Sequence, residues 1–177
     1  ELSDFWAQSY VGADLVHQEI KNENYSIPDN LISIFDSTLN KHDEHVKNII
    51  SNELEIGVLP KTKIEIHYAG SSRAMAESID ELVSKGRTFG YFNHSMTLGG
   101  DISKDALLKL SYNGATIVSS AGNEGQEVVD GKNQLSKRNH LILVGSLNPA
   151  LGPSTFTSFG EEVVISAPSD DYILSTS

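Results

Sequence analysis

Short runs rich in β-branched and aromatic residues alternate with stretches of helical periodicity, and this alternation restricts the fold more than any other feature. The strand candidates are residues 31–35, 63–67, 88–93, 115–119, 141–144 and 162–165. Residues 42–52, 73–85 and 103–110 space their apolar side chains as helices do. Strands and helices in series are typical of a parallel sheet covered on both faces. The sequence therefore predicts a doubly wound α/β fold with a mostly parallel sheet.

The ends of two helices also have sequence signals. Gly86 follows the apolar stripe of residues 75–83 and is predicted to be the residue just beyond that helix. Ser103 is the predicted N-cap of the next helix, and Asn113-Gly114 is expected to end it.

Composition excludes several classes of function. The formal net charge of −11 disfavours nucleic acid and anionic membranes as partners. The chain has no cysteine, which excludes a disulfide scaffold, a thiolate zinc site, an iron–sulfur cluster and a cysteine nucleophile. No apolar run approaches the roughly 20 residues of a membrane span. A chain of 177 residues fits a single domain.

Polar residues follow the first predicted strand, where parallel sheets place their chemistry. A carboxylate at Asp36 is costly to bury without a partner, although a turn or N-cap aspartate is the plain alternative. His42 and His45 are three residues apart on the next helix, whereas the metalloprotease pattern needs a spacing of four. A metal pair is therefore disfavoured. Either one imidazole faces Asp36, or both histidines lie on a solvated helix.

A glycine-rich turn follows the strand at 115–119. Its sequence, Ser-Ala-Gly-Asn-Glu-Gly at 120–125, lacks the spacing and the lysine of a phosphate loop. A nucleotide-binding domain is therefore a weak alternative. The turn projects the amide of Asn123 at the sheet edge, where its N–H₂ can donate to a developing oxyanion. An ordinary turn asparagine is the other interpretation.

The order of these segments resembles the subtilisin-like serine proteases (subtilases). The matching motifs are Asp36-Ser37 and the segments 42–46, 120–125, 140–146, 154–160, 163–168 and 173–176. The resemblance runs from about residue 30 to the end. It implies that Asp36 is the triad aspartate, His42 the triad histidine, and Asn123 the oxyanion-hole asparagine. His45 then matches the second, non-catalytic histidine of the motif.

The same resemblance implies a substrate cleft. Ser120, Ala121 and Gly122 match one wall, while Ser95 and Met96 match the strand that lines the specificity pocket, within the segments 93–96 and 98–100. An extended peptide would pair with both edges. The implied partner is a peptide or protein substrate.

This chain departs from the subtilase pattern at three places. Thr38 stands where a glycine is expected, and Asp43-Glu44 stand where Gly-Thr is expected. The Gly-Thr-Ser nucleophile motif is absent from residues 1–177, and Ser177 is not assigned as the nucleophile. We therefore expect one catalytic domain, incomplete at its C-terminus, of a serine endopeptidase whose serine lies beyond residue 177. That serine would be on a C-terminal fragment. The alternative is an inactive, peptide-binding pseudoprotease.

No cofactor is predicted. Structural calcium is common in the family, but no loop here has a recognisable ligand spacing, so no ion site is assigned. The resemblance favours a secreted or extracytoplasmic protein.

Overall fold

The computed structural model describes residues 6–22, 32–37, 41–51, 57–60, 62–96, 100–129 and 141–169. All six predicted strands are present among them. They are β1 (Ile32–Asp36), β2 (Ile64–Tyr68), β3 (Gly90–His94), β4 (Ala115–Ser120), β5 (Leu141–Leu147) and β6 (Val163–Pro168). The predictions for Thr38, for 98–99, for the segment at 173–176 and for Ser177 lie outside the described residues.

The strands form one sheet of order β2-β1-β3-β4-β5-β6, and every pair is parallel. The predicted doubly wound α/β fold is confirmed. The chain passes from β1 to β2 on one side and then crosses back to β3 on the other side. The direction of winding therefore reverses at β1, and open α/β sheets bind their ligands at the carboxyl ends of strands beside such a reversal. Asp36 is the last residue of β1.

Five helices are described, of which the last three were predicted. They are α1 (Trp6–Tyr10), α2 (Ala13–Lys21), α3 (Lys41–Ile50), α4 (Ser72–Ser84) and α5 (Asp101–Tyr112). α1 and α2 lie in the first segment, to which the sequence analysis assigned no element. None of the helices described here has both the length and the apolar character required to cross a membrane.

One face of the sheet is covered by α4 and α5, which pack against each other. The core lies between this face and the two helices, and its fully buried members include Phe35, Met75, Ile79, Leu107, Leu110, Ile117 and Leu143. Side chains alternate along a strand, so Ile34 and Asp36 are on the second face, where α3 packs against β1. Right-handed crossovers account for this division of the helices.

None of the described helices packs on the second face from β3 to β6. The strand register aligns five apolar side chains there, which we call the open face: Tyr91, Val118, Ile142, Val144 and Ile165. Tyr91, Ile142 and Ile165 are 54%, 39% and 57% exposed. Contiguous apolar surface of this kind is typical of a surface that another polypeptide segment covers.

The helix ends show which of the sequence signals predicted a helix boundary correctly. Gly86 has φ +64°, and the N–H groups of Gly86 and Arg87 donate to the carbonyls of Val83 and Leu82, as the prediction of a residue beyond the helix end requires. Asn113 caps the C-terminus of α5 as predicted. The N-cap prediction was wrong, because α5 begins at Asp101 and Ser103 is fully buried inside its first turn.

Candidate active site

Asp36 and His42 form a hydrogen-bonded pair at the carboxyl edge of the sheet. The Asp36 side chain is 2% exposed and the His42 side chain 50% exposed, with 2.5 Å between Oδ2 of Asp36 and Nδ1 of His42. A carboxylate only accepts hydrogen bonds, so Nδ1 donates and Nε2 is the basic nitrogen of the neutral ring. The predicted contact between an imidazole and Asp36 is therefore present, and His42 makes it.

The other predicted features of α3 are arranged around this pair. Burial lowers the pKa of His45, and the nearby His42 lowers it further. Asp43 is buried, and its Oδ1 accepts a hydrogen bond from the Glu44 N–H at 2.9 Å. In the described part of the chain, no three His, Cys, Asp or Glu side chains are grouped so that they could hold a metal ion.

The turn after β4 is held by backbone hydrogen bonds. Ala121 N–H donates to the carbonyl of Val144 at 2.9 Å, and Ser158 N–H donates to the carbonyl of Gly122 at 3.0 Å. Gly125 N–H donates to the carbonyl of Phe156 at 2.8 Å. The turn therefore presents the exposed Asn123 from a braced backbone.

The bracing segment, residues 154–158, is itself fixed to β5 by side chains. The hydroxyls of Ser146 and Ser154 are 2.6 Å apart, and Thr157 Oγ1 accepts from the Ser146 N–H at 2.9 Å. Sequence reasoning found these residues only through the resemblance and assigned them no role. The run of serine and threonine residues in this segment was the sequence signal that could have identified it.

A cavity of about 270 Å³ lies at the carboxyl ends of β3 to β6. Five predicted site residues line it, namely Ser95, Ser120, Ala121, Gly122 and Asn123. The sequence analysis did not predict the part of the lining that comes from the sheet interior and from β5 and β6, including Val118, Val144, Ser146, Thr157, Ala167 and Ser169. No charged side chain lines the cavity among the residues described.

Three predicted site residues do not line the cavity. Met96 is partly buried against the hydrophobic core. Asp36 and His42 form their own pair on β1 and α3. Apart from Met96, the structure thus brings the predicted residues into two groups, a cavity group and an acid–imidazole group, at one edge of the sheet.

Gly122 cannot be replaced without strain. Its φ is +106°, and a Cβ there would overlap the Glu124 carboxylate and approach Ser158 Oγ to 3.2 Å. We expect Gly122→Ala to lower the free energy of unfolding by about 2–3 kcal/mol. Gly12→Ala is the matched control, because Gly12 has φ +74° with nothing within 4 Å of its added Cβ, and we expect it to cost about 1 kcal/mol. Equal losses in chemical denaturation would contradict the crowding at Gly122.

No protein-family profile matches this sequence, and no curated protein matches it. Solved structures do match. A cold-adapted subtilisin-like serine proteinase superposes with a TM-score of 0.65 at 16% identity, over 82% of this chain and 66% of its own. The prenylagaramide maturation protease PagA gives a TM-score of 0.70 at 18% identity, over 90% of this chain and 69% of its own.

A third structure is the epidermin leader peptide processing serine protease (EpiP) from Staphylococcus aureus. Its TM-score is 0.68 at 15% identity, over 94% of this chain and 57% of its own. This chain therefore spans about two thirds or less of the length of the proteases it matches. The likeness establishes the fold, which is that of the subtilisin-like serine proteases.

Proposed function

We propose that this chain is the N-terminal part of a serine endopeptidase catalytic domain, which hydrolyses peptide bonds with an Asp-His-Ser triad. The single observation that carries the proposal is the 2.5 Å hydrogen bond between Asp36 and His42 at the carboxyl edge of the sheet. A buried carboxylate that holds an exposed imidazole by Nδ1 is the arrangement that makes Nε2 a general base. The subtilisin-like fold supports the assignment.

Each residue has a role in the proposed reaction. The serine Oγ attacks the scissile carbonyl carbon while His42 Nε2 takes the hydroxyl proton. The same proton passes from the imidazolium to the leaving amine as the C–N bond breaks. Asp36 stays ionised, orients the ring and stabilises its positive charge. Water then hydrolyses the acyl-enzyme by the same steps, so the reaction needs no cofactor.

Asn123 is the proposed oxyanion donor. It lies at the tip of a braced turn and lines the cavity, where a carboxamide N–H₂ can meet the charge that develops on the carbonyl oxygen. Ser95 and the segment 120–122 line the cavity and are the proposed contacts for the substrate backbone, with Met96 next to Ser95 in sequence. The uncharged lining favours substrates with an uncharged side chain at the position that enters the cavity.

We propose that the serine lies on a segment that follows residue 177, either in the same polypeptide or in a fragment produced by cleavage. The support comes from the open face, where three of the five apolar side chains are between 39% and 57% exposed. A helix with an apolar stripe would bury them, and its N-terminus would lie near the carboxyl edge of the sheet. Serines at helix N-termini gain from backbone N–H groups that point toward a developing anion.

The proposal is tested by labelling the protein expressed from its full gene with a fluorophosphonate, which reacts only with an activated serine. We expect one label per molecule, mapped by peptide mass analysis to a Gly-Thr-Ser sequence beyond residue 177. The intact mass under denaturing conditions tells whether that sequence is on a second polypeptide. Labelling elsewhere, or none in a folded protein, would refute the triad.

An inactive, peptide-binding pseudoprotease is the alternative, and one observation favours it. Asp43 and Glu44 replace the small residues that follow the triad histidine in the family, and Asp43 is buried in the first turn of α3. A full-length protein that binds peptides in the cavity yet resists fluorophosphonate would have this function.

A further inference from the structure

His94 is a fully buried histidine at the carboxyl end of β3, beside the cavity. It is in register with Phe35 of β1 and Ser119 of β4. Its side chain therefore lies on the covered face of the sheet, opposite to that of Asp36. The proposed reaction makes no use of it.

Two hydrogen bonds join His94 to Ser119 across the strands. The Ser119 hydroxyl donates to the backbone carbonyl of His94 at 3.0 Å, and Nδ1 of His94 is 3.0 Å from the same hydroxyl oxygen. With the single hydroxyl hydrogen donated to that carbonyl, Nδ1 is the donor in the second bond. Nε2 then carries the lone pair, and it is buried with no hydrogen-bond partner within the described structure.

These bonds join two strand ends that line the cavity. Asn93 and Ser95 flank His94 in sequence, and both line the cavity. On β4, Ser119 and the next residue, Ser120, line it as well. The imidazole therefore holds β3 to β4 at the point where the cavity wall begins.

We propose that His94 is a positioning residue that maintains the cavity only while its imidazole is neutral, so that acid opens the cavity wall reversibly. Protonation would place an N–H and a positive charge at Nε2, where the described residues offer no acceptor. The strand ends would have to separate to admit water. The inference does not depend on peptidase activity.

The surroundings of the ring favour its neutral form. Burial lowers the pKa of His94 from its ordinary 6.5 to about 4. No charged side chain contributes to this shift. The elements on this face carry titratable residues near the carboxyl edge of the sheet, namely His67 on β2, Arg73 and Glu77 in the first two turns of α4, and Asp101, Lys104 and Asp105 in the first two turns of α5. Among the described residues, no charged side chain therefore acts as a counter-charge for an imidazolium at His94.

The direction of the pH effect follows from linkage. Between about pH 6.5 and pH 4 the unfolded chain binds a proton at His94 and the folded chain does not. The stability that neutral His94 contributes is therefore fully present above the pKa of His94 in the unfolded chain. It falls as the pH decreases through this window. Carboxylates titrate in the same pH range, so variants of His94 are needed to assign the transition to this residue.

The test follows imidazole and backbone signals of the ¹⁵N-labelled full-length protein by NMR as the pH is lowered. We expect the Nδ1–H tautomer for His94, a midpoint of about 4, and amide shifts of Ser95 and Ser120 with the same midpoint. Return to neutral pH should restore all signals. Titration of His94 near its ordinary value, or a proton on Nε2 at neutral pH, would overturn the proposal.

Two variants and a control separate positioning from bulk stability. His94→Asn retains an N–H donor near the Nδ1 position but cannot titrate, so the acid shift of the cavity amides should disappear. His94→Leu removes the donor, so those amides should already be displaced at neutral pH. His17→Asn alters a partly exposed histidine on α2 that does not line the cavity, and it should leave the transition unchanged. An undiminished acid shift in His94→Asn would refute the inference, and if that variant does not fold, the wild-type tautomer and coincident midpoints decide it.

Discussion

Replacing Asp36 with asparagine is expected to lower the turnover of a peptide substrate by about 10⁴-fold in the full-length protein. The substitution preserves the volume of a side chain that is 2% exposed, so the fold should be retained. An amide N–H₂ facing Nδ1 would favour the other tautomer, in which Nδ1 accepts and Nε2 carries the proton. His42 could then no longer take a proton from the attacking serine. The expected loss is in kcat, measured with a chromogenic peptide.

Asp43→Asn is the matched control for this experiment. Asp43 is also a buried acid, it is adjacent to His42 in sequence, and its carboxylate contacts the Glu44 N–H. We expect Asp43→Asn to change kcat by less than an order of magnitude. Thermal unfolding of both variants separates folding from catalysis. If Asp36→Asn kept turnover close to that of Asp43→Asn, Asp36 would have no part in the reaction.

Replacing Asn123 with alanine is expected to reduce kcat by about 10²–10³-fold with little change in KM. The reason is that the carboxamide would meet the carbonyl oxygen only after that oxygen becomes an anion, so its loss raises the transition state and not the bound substrate. Asn123 is exposed on a turn whose backbone is held by Val144 and Ser158, so the variant should retain the fold.

Gln126→Ala provides the comparison for Asn123→Ala. Gln126 is an exposed amide on the same loop, and it does not line the cavity. Its removal should leave both kinetic constants unchanged. A parallel rise in KM for Asn123→Ala would mean that the side chain binds ground-state substrate, and full activity would exclude it from the mechanism.

The site features that the sequence predicted involve residues close together in the chain, whereas the features that it missed involve residues far apart. The Asp36–His42 contact spans six residues across one strand end and one helix start, so strand and helix patterns were enough to suggest it. Asn123 was found because glycines flank it in a short turn. The lining from β5 and β6 was missed because it depends on which strands are neighbours, and hydrophobic pattern alone does not determine strand order.

Side-chain direction is the second reason why the sequence did not predict the whole site. Asn93 and Ser95 line the cavity while His94 between them is buried on the covered face, because neighbouring residues of a strand point to opposite faces. Met96 packs against the core for a reason that the sequence does not reveal, since the strand has ended before it. α5 likewise begins two residues before the serine that was predicted to cap it.

By itself the sequence determined the α/β class and the six strands, and it suggested a local contact between Asp36 and a histidine of α3, because apolar periodicity and short-range turn chemistry depend on neighbouring residues. Only the tertiary structure decided the sheet order, the cavity that four strand ends build, the isolation of His94 and the open face. These depend on packing between segments far apart in the chain, where the free energy of burial, not local preference, selects the partner.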